Sequence, residues 1–314
     1  MSRKSLAAVA LLAIVVLGAS GFYATRNPES RTLDDAARNG APGKFVRLSD
    51  GVTHYELSGP DSGRMIVLVH GFSVPYYIWD STAAALSAAG RHVLRYDQFG
   101  RGLSDRPSID YTADVYDRQL GELLDSLHVS GPVDIAGVSM GGWVTATFTG
   151  RHPKRVRSLI LVDPVAGPRS ATPGMFSWPL VGSYLWQTLA VPTMAGGQSS
   201  DFLHPDRFPG WADRYRPQTQ LRGFGHALLS TRQNLGMTDL DSVYRTVAQT
   251  QTPVMLIWGT SDHTVPFEYN TGVRKAIPVA EFHAIEDSGH LPILERAALT
   301  DSLFLSFLAR QTSQ

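Results

Sequence analysis

The chain has 314 residues, 43% of them apolar, which suits one large globular unit with a sizeable core and not a disordered chain. Twenty-eight basic residues balance twenty-eight acidic ones, and no basic block is interleaved with aromatics, so nothing in the charge pattern would attract nucleic acid. There is no cysteine, which excludes disulfides, thiolate metal sites, a cysteine nucleophile and lipidation of an N-terminal cysteine.

At the N-terminus Arg3 and Lys4 precede an uncharged run over 6–24, most apolar over 6–17. Residues 1–26 therefore read as a signal peptide, with small residues at Gly18, Ala19, Ser20 and Gly21 for cleavage, or as an anchor, since the run is close to the ~20 residues that span a bilayer. Basic residues before the run keep that end in the cytoplasm, so either reading places the remainder outside it, secreted, periplasmic or membrane-anchored. Residues 27–43, with charges, Pro28, Pro42 and glycines, read as a linker.

From Lys44 strands and helices alternate. Residues 44–48 and 52–57 form strands around the tight-turn sequence Ser49-Asp50-Gly51. The continuous apolar run 65–69 reads as a strand buried on both faces and ends at His70-Gly71-Phe72. An alanine-rich helix over 81–89 leads to a strand at 92–96. The glycine-rich loop from Gln98 to Ser104 lacks both dinucleotide spacing and a P-loop lysine, and reads as structural. Thr112 is a suitable N-cap for a helix to 127 that carries Tyr116, Leu120, Leu123, Leu124 and Leu127 on one face. The strand 133–136 runs into Gly137-x-Ser139-x-Gly141, a helix follows over 143–150, and the strand 158–162 ends at Asp163-Pro164. Residues 171–236, rich in Pro, Gly, Trp and Met, break the alternation and read as a helical cap. Strands at 254–258 and 280–285 and helices at 267–276 and 292–308 complete the pattern, Pro292 suiting a first helical turn. The expected organisation is an α/β core in two parts, 44–170 and 237–314, with the cap between them.

Repeated β/α units give a mostly parallel sheet with helices on both faces, and ligands bind beyond the carboxyl ends of its strands. At one such end, a turn as tight as Gly137-x-Ser139-x-Gly141 would force Ser139 into strained backbone, and side chains at either glycine would block strand from helix. The serine oxygen would stand clear of the sheet, with the Met140 amide beside it to stabilise an oxyanion. A serine needs a base, and the base an orienting carboxylate. Asp262 lies in a turn just past the strand 254–258, and His290 in the loop after the last strand. Asp163 also follows a strand and is the competing acid, Glu286 and Asp287 lie too near His290 in sequence, and His263 reads as a neighbour. The Phe72 amide, after the third strand, is assigned as second oxyanion donor, with His70 as support. The other histidines show no metal-ligand spacing, and neither a metal nor a cofactor is expected.

Taken together, His70-Gly71-Phe72, the segment from Asp97 to Ser104, Gly137-x-Ser139-x-Gly141-Gly142, the Asp262 turn and Ser288-Gly289-His290 resemble the α/β-hydrolase superfamily over residues 44–308. The resemblance implies an eight-stranded sheet, its second strand antiparallel, with the cap after strand six and Ser139, Asp262 and His290 as triad in the family's chain order. Within the superfamily the chain is similar to the capped esterases, monoacylglycerol-type lipases and carbon-carbon bond hydrolases. Dehalogenases and epoxide hydrolases of this fold carry aspartate where Ser139 stands, so the serine argues against both chemistries. The expected activity is hydrolysis of a small ester or a lipid through an acyl-enzyme on Ser139. A carbon-carbon bond hydrolase of meta-cleavage type is the alternative, and a non-catalytic ligand binder the third reading. Met175, Phe176, Trp178, Leu180, Val181, Tyr184, Leu185, Trp186 and Leu189 are candidates for an acyl pocket, Trp178, Tyr184 and Trp186 foremost. Arg207, Arg214, Arg216, Arg222 and Arg232 read as a solvated helical face, with a substrate carboxylate as the other reading. The expected partners are a small-molecule ester or lipid, and a membrane through the N-terminal segment.

Overall fold

A computed structural model describes residues 2–168, 174–178 and 181–311. The first helix, α1 (Arg3–Arg26), has no buried residue and is long and apolar enough to cross a membrane by length and composition. After the short α2 (Asp35–Arg38) come β1 (Lys44–Leu48), β2 (Gly51–Ser58), β3 (Met65–Val69), α3 (Asp80–Ala88), β4 (His92–Tyr96), α4 (Ala113–Ser126), β5 (Val133–Val138), α5 (Met140–Arg151) and β6 (Val156–Val162). Next follow α6 (Val181–Leu185), a π-helical turn (Trp186–Ala190), α7 (Met194–Gly197), α8 (Trp211–Thr219), α9 (Phe224–Gly236) and α10 (Leu240–Gln249). The chain ends with β7 (Val254–Gly259), α11 (Asn270–Ala276), β8 (Glu281–Ile285), α12 (Pro292–Glu295) and α13 (Ala297–Arg310).

The eight strands form one sheet in the order β1-β2-β4-β3-β5-β6-β7-β8, antiparallel at β1/β2 and β2/β4 and parallel elsewhere. As expected of strands covered on both faces, β5 and β7 are buried throughout. Alternate residues feed two cores: Val67, Val69, Leu94, Ile135 and Leu161 pack with α4, α5 and α10, while Ile66, Leu68, Val93, Ala136 and Ile160 pack with α3, α13 and residues of α8 and α9 such as Tyr215 and Leu228. On α4 the stripe of Tyr116, Leu120, Leu123 and Leu124 is buried, but Thr112 makes no side-chain capping bond. The last predicted helix is two, because Arg296 leaves helical geometry between α12 and α13.

Helices α6–α9 form the cap, inserted after the sixth strand; the boundary expected at 170/171 lies outside the described residues. Helix α10 belongs to the body, where Tyr244 donates to the Val165 carbonyl at 2.7 Å. The stretch 27–43 is tied down along its length. Glu29 accepts the amides of Gly223 and Gly225 at 2.8 and 2.6 Å, holding the N-terminus of α9, and Arg31 bridges to Leu221. Farther on, His54 donates from Nε2 to the Pro42 carbonyl and from Nδ1 to Asp97, each at 2.7 Å. Burial pushes His54 down, but the Asp97 bond and charge outweigh it and leave the imidazole raised, in keeping with two donating nitrogens.

Candidate active site

Strand β5 delivers Ser139 to the carboxyl edge of the sheet, and α5 starts at the next residue. Ser139 sits at φ 55°, ψ −121°, a conformation that costs a non-glycine residue on the order of 1–3 kcal/mol. The packing shows what holds it there. A Cβ on Gly137 would lie 2.2 Å from the Gly141 carbonyl oxygen, and one on Gly141 would lie 2.3 Å from that of Val69. Strand and helix can approach this closely only with glycine at both positions. The Ser139 amide is held by the Val162 carbonyl at 2.9 Å.

Met140 is the first residue of α5, so its amide has no acceptor inside its own helix. The His70-Gly71-Phe72 segment passes over the serine: a Cβ on Gly71 would meet Ser139 Cβ at 3.2 Å and Oγ at 3.8 Å. His70 fixes that segment. Burial lowers its pKa to about 4, so the ring is neutral, with Nδ1 donating to the Gly71 carbonyl at 2.8 Å and Nε2 accepting the Gln98 amide at 2.9 Å.

The sequence offered no sign of Arg101, which is wholly buried. Its Nε donates to the Phe72 carbonyl at 2.8 Å, and its other nitrogens reach the Phe99 carbonyl, Tyr116 and, on α9 of the cap, Thr231. One guanidinium thus joins the segment from His70 to Phe72 to body and cap. An arginine between two glycines in a polar loop looks solvated, and only the fold closes a shell around it.

At the neighbouring strand ends Asp262 and His290 meet. Asp262 Oδ1 accepts the amides of Thr264 and Val265 at 2.8 and 2.9 Å, and Oδ2 accepts His290 Nδ1–H at 2.7 Å. Both residues are buried, whereas Ser139 opens on a cavity of about 350 Å³. Burial pushes His290 down, but the charge and hydrogen bond of Asp262 prevail and raise it above its ordinary value. The His290 amide is held in turn by the Asp201 carbonyl, at 2.9 Å, from the cap.

Asp163, the competing acid, lies beside this pair at φ 42° and accepts the Gly259 amide at 2.9 Å on Oδ1, while its Oδ2 has no donor among the described residues. Burial first, and then the charge of Asp262, hold it well above the usual carboxylate range, which favours its neutral form. Ligating atoms of Asp163, Asp262 and His290 converge within 4.8 Å, the one such cluster among the described residues. The Nδ1 of His290 and Oδ2 of Asp262 are committed to each other, which accounts for the cluster by pairing.

The cavity is walled by Phe72, Met140, Val165, Ala166, Leu235, Val265, Pro266 and Tyr269, with Arg232 and Thr264 as its polar side chains beside Ser139. The aromatics expected to form an acyl pocket do not line this cavity. Trp186 is buried in the cap, its indole N–H donating to the Gly225 carbonyl at 3.0 Å; Tyr184 turns to α1; Trp178 is 58% exposed. Leu180 lies outside the described residues. Of the five cap arginines only Arg232 reaches this cavity, and its buried Nε has no partner among the described residues. Arg214 instead pairs with Asp80 and Arg216 with Asp213. A larger cavity of about 690 Å³ between the 31–42 segment, β2, β4 and α8 contains none of Ser139, Asp262 and His290, and several of its charges pair with one another: Arg95 with Glu56 and Asp80, and Arg214 with Asp80.

This sheet order, with a serine on a glycine-flanked turn and a helical layer after the sixth strand, defines a class. The chain belongs to the alpha/beta hydrolase family, whose model matches residues 66–301. It is 25% identical over 261 residues to Lipase 1 of Psychrobacter immobilis, covering 81% of this chain and 79% of that one. It is 26% identical over 284 residues, 84% of this chain and 94% of the other, to the 2-hydroxy-6-oxononadienedioate/2-hydroxy-6-oxononatrienedioate hydrolase of Cupriavidus pinatubonensis. The enol-lactonase from Burkholderia xenovorans superposes with a TM-score of 0.74 at 22% identity, covering 85% of this chain and all of its own, a likeness of fold. The protein is thus a hydrolase-family chain built for a small-molecule substrate.

Proposed function

We propose that the chain is a serine hydrolase of carboxylic esters, acting outside the cytoplasm. The carrying observation is Ser139 on its strained turn with the His290–Asp262 pair at the same sheet edge. In this reading Asp262 holds the Nδ1–H tautomer of His290, leaving Nε2 to take the proton from Ser139 Oγ as it attacks the ester carbonyl. The amides of Met140 and Phe72 receive the oxyanion, His290 returns the proton to the leaving alcohol, and water activated by the same nitrogen releases the acid. The similarity to a lipase supports ester substrates, and the apolar cavity wall suits an acyl group. Hydrolysis of p-nitrophenyl esters of increasing acyl length, with Ser139→Ala beside the wild type, tests this. Serine-dependent turnover is expected, and none from folded wild type defeats it.

A second reading is favoured by Arg232. A guanidinium at the cavity whose buried Nε has no partner among the described residues suits a substrate that carries an anion, as carbon-carbon cleavage of a dioate would require. Cleavage of a 2-hydroxy-6-oxo dienoate, lost in Arg232→Met, without ester turnover would select it.

A further inference from the structure

The last two turns of α1 pack on the cap. Tyr184 donates its phenol O–H to the Ala19 carbonyl at 2.8 Å, the Tyr23 and Tyr184 rings stack with centroids 5.8 Å apart, and Arg26 Nε donates to the Thr188 carbonyl at 3.4 Å. The contact continues through Asn27, whose Oδ1 accepts Gln187 at 2.6 Å. The cap segment gripped in this way has an unusual composition: no Asp, Glu, Lys or Arg occurs between Arg169 and Asp201. At the chain's charged fraction of 18%, these 31 residues would carry about five or six. Within it Met175, Trp178, Val181 and Leu189 are 45%, 58%, 46% and 42% exposed. Exposed apolar side chains along an uncharged segment mark a candidate site of interaction, and here the segment packs on a helix with the length and composition of a membrane span.

The levels also agree. Ala19 lies five residues before Ala24, the last apolar residue of α1, so at 1.5 Å per residue the Tyr184 contact falls ~7.5 Å below the end of the apolar stretch. That is within the ~5–10 Å to which interfacial elements sink. Tyr23, Tyr184 and Trp178 are the residue types that favour this level.

We propose that α1 is retained as an anchor and that the cap face of Met175, Trp178, Val181 and Leu189 rests in the headgroup region of the lipid bilayer that α1 crosses. The substrate consequence, that esters are drawn from the membrane, rests on the ester-hydrolase reading; the placement of the cap does not. Met175 follows Pro168, which lies in the wall of the Ser139 cavity, by only seven residues of sequence.

The absence of cysteine makes a single label unambiguous. The full chain is reconstituted in phosphatidylcholine vesicles carrying brominated acyl chains, with a polarity-sensitive fluorophore on Val181→Cys, on Leu189→Cys, or on the reference Val279→Cys, 78% exposed just before β8. Labels at 181 and 189 are expected to shift blue and to be quenched several-fold more than the label at 279. Equal quenching at all three in chains that resist carbonate extraction overturns the proposal, as does an intact mass showing that α1 has been removed. In Val181→Asp/Leu189→Asp, turnover of soluble p-nitrophenyl butyrate is expected to persist while that of a vesicle-borne long-chain ester falls about tenfold or more. A loss shared equally by both substrates overturns the docking role. Wild type inactive on both counts against the hydrolase reading alone, and the quenching comparison still decides where the cap sits.

Discussion

Two buried carboxyls lie beside His290, and exchanging each for its amide separates their roles. Asp262 Oδ2 accepts the His290 Nδ1–H, so Asp262→Asn removes the charge that stabilises the imidazolium and favours the wrong tautomer. The equivalent exchange in well-studied Ser-His-Asp enzymes lowers kcat about 10^4-fold, which is ~5.4 kcal/mol of transition-state stabilisation. The raised pKa of Asp163 favours its neutral form, which asparagine imitates: Asp163→Asn keeps an acceptor for the Gly259 amide and puts no charge beside Asp262. Turnover is expected within about tenfold of wild type. Stability gives an independent reading. An acid whose folded pKa is raised contributes stability that is complete below its unfolded value of about 3.9 and is lost as pH rises through the folded value. Asparagine escapes that loss, so Asp163→Asn is expected to match or exceed the wild-type Tm at pH 8, with any gain gone by pH 4. Initial ester-hydrolysis rates and thermal melts at the two pH values are the assays. An Asp163→Asn chain as inactive as Asp262→Asn, with its Tm retained, would make Asp163 the orienting acid and refute the reasoning.

In Gly141→Ala the new methyl meets backbone oxygens of Val69 and His70 at 2.3 and 2.6 Å, with no flexible side chain to yield; a loss near the top of the ~1–3 kcal/mol overpacking range is expected, and an unchanged Tm would contradict the turn geometry. The raised pKa of His290 places the acid limb of kcat/KM above pH 6.5, activity rising as the base loses its proton; a limb at or below about pH 6 would mean that Asp262 does not hold it. Glu29→Ala frees two amides at the start of α9, at an expected cost of ~1.5–3 kcal/mol; an unmoved urea midpoint would show that the 27–43 stretch does not brace the cap.

The body of the fold could be read from the sequence because its signals are local. Unbroken apolar runs gave the buried strands, and Gly137, Ser139 and Gly141 announced a turn that only glycine permits. His290 and Asp262 were legible for a similar reason, since each follows directly on a strand whose direction was already known. The cap itself was legible in the break of the alternation after the sixth strand, but its internal packing was not, because its residues are packed by partners far away in sequence. Trp186 looks like a pocket aromatic until Gly225 takes its indole N–H, and Tyr184 until Ala19 takes its phenol. The 27–43 stretch has the composition of a linker, and its bonds to Gln187, Leu221 and Gly223 cross more than 150 residues of chain.

The central claim is that Ser139 is a nucleophile activated by His290. Treatment of the intact chain with a fluorophosphonate, followed by mass analysis of the peptide containing Ser139, tests it most directly, because only an activated serine displaces the fluoride readily. The expected result is one phosphonyl adduct, located on Ser139 and absent in His290→Ala. Folded chain that takes no adduct on Ser139, or that is labelled equally well without His290, would contradict the account.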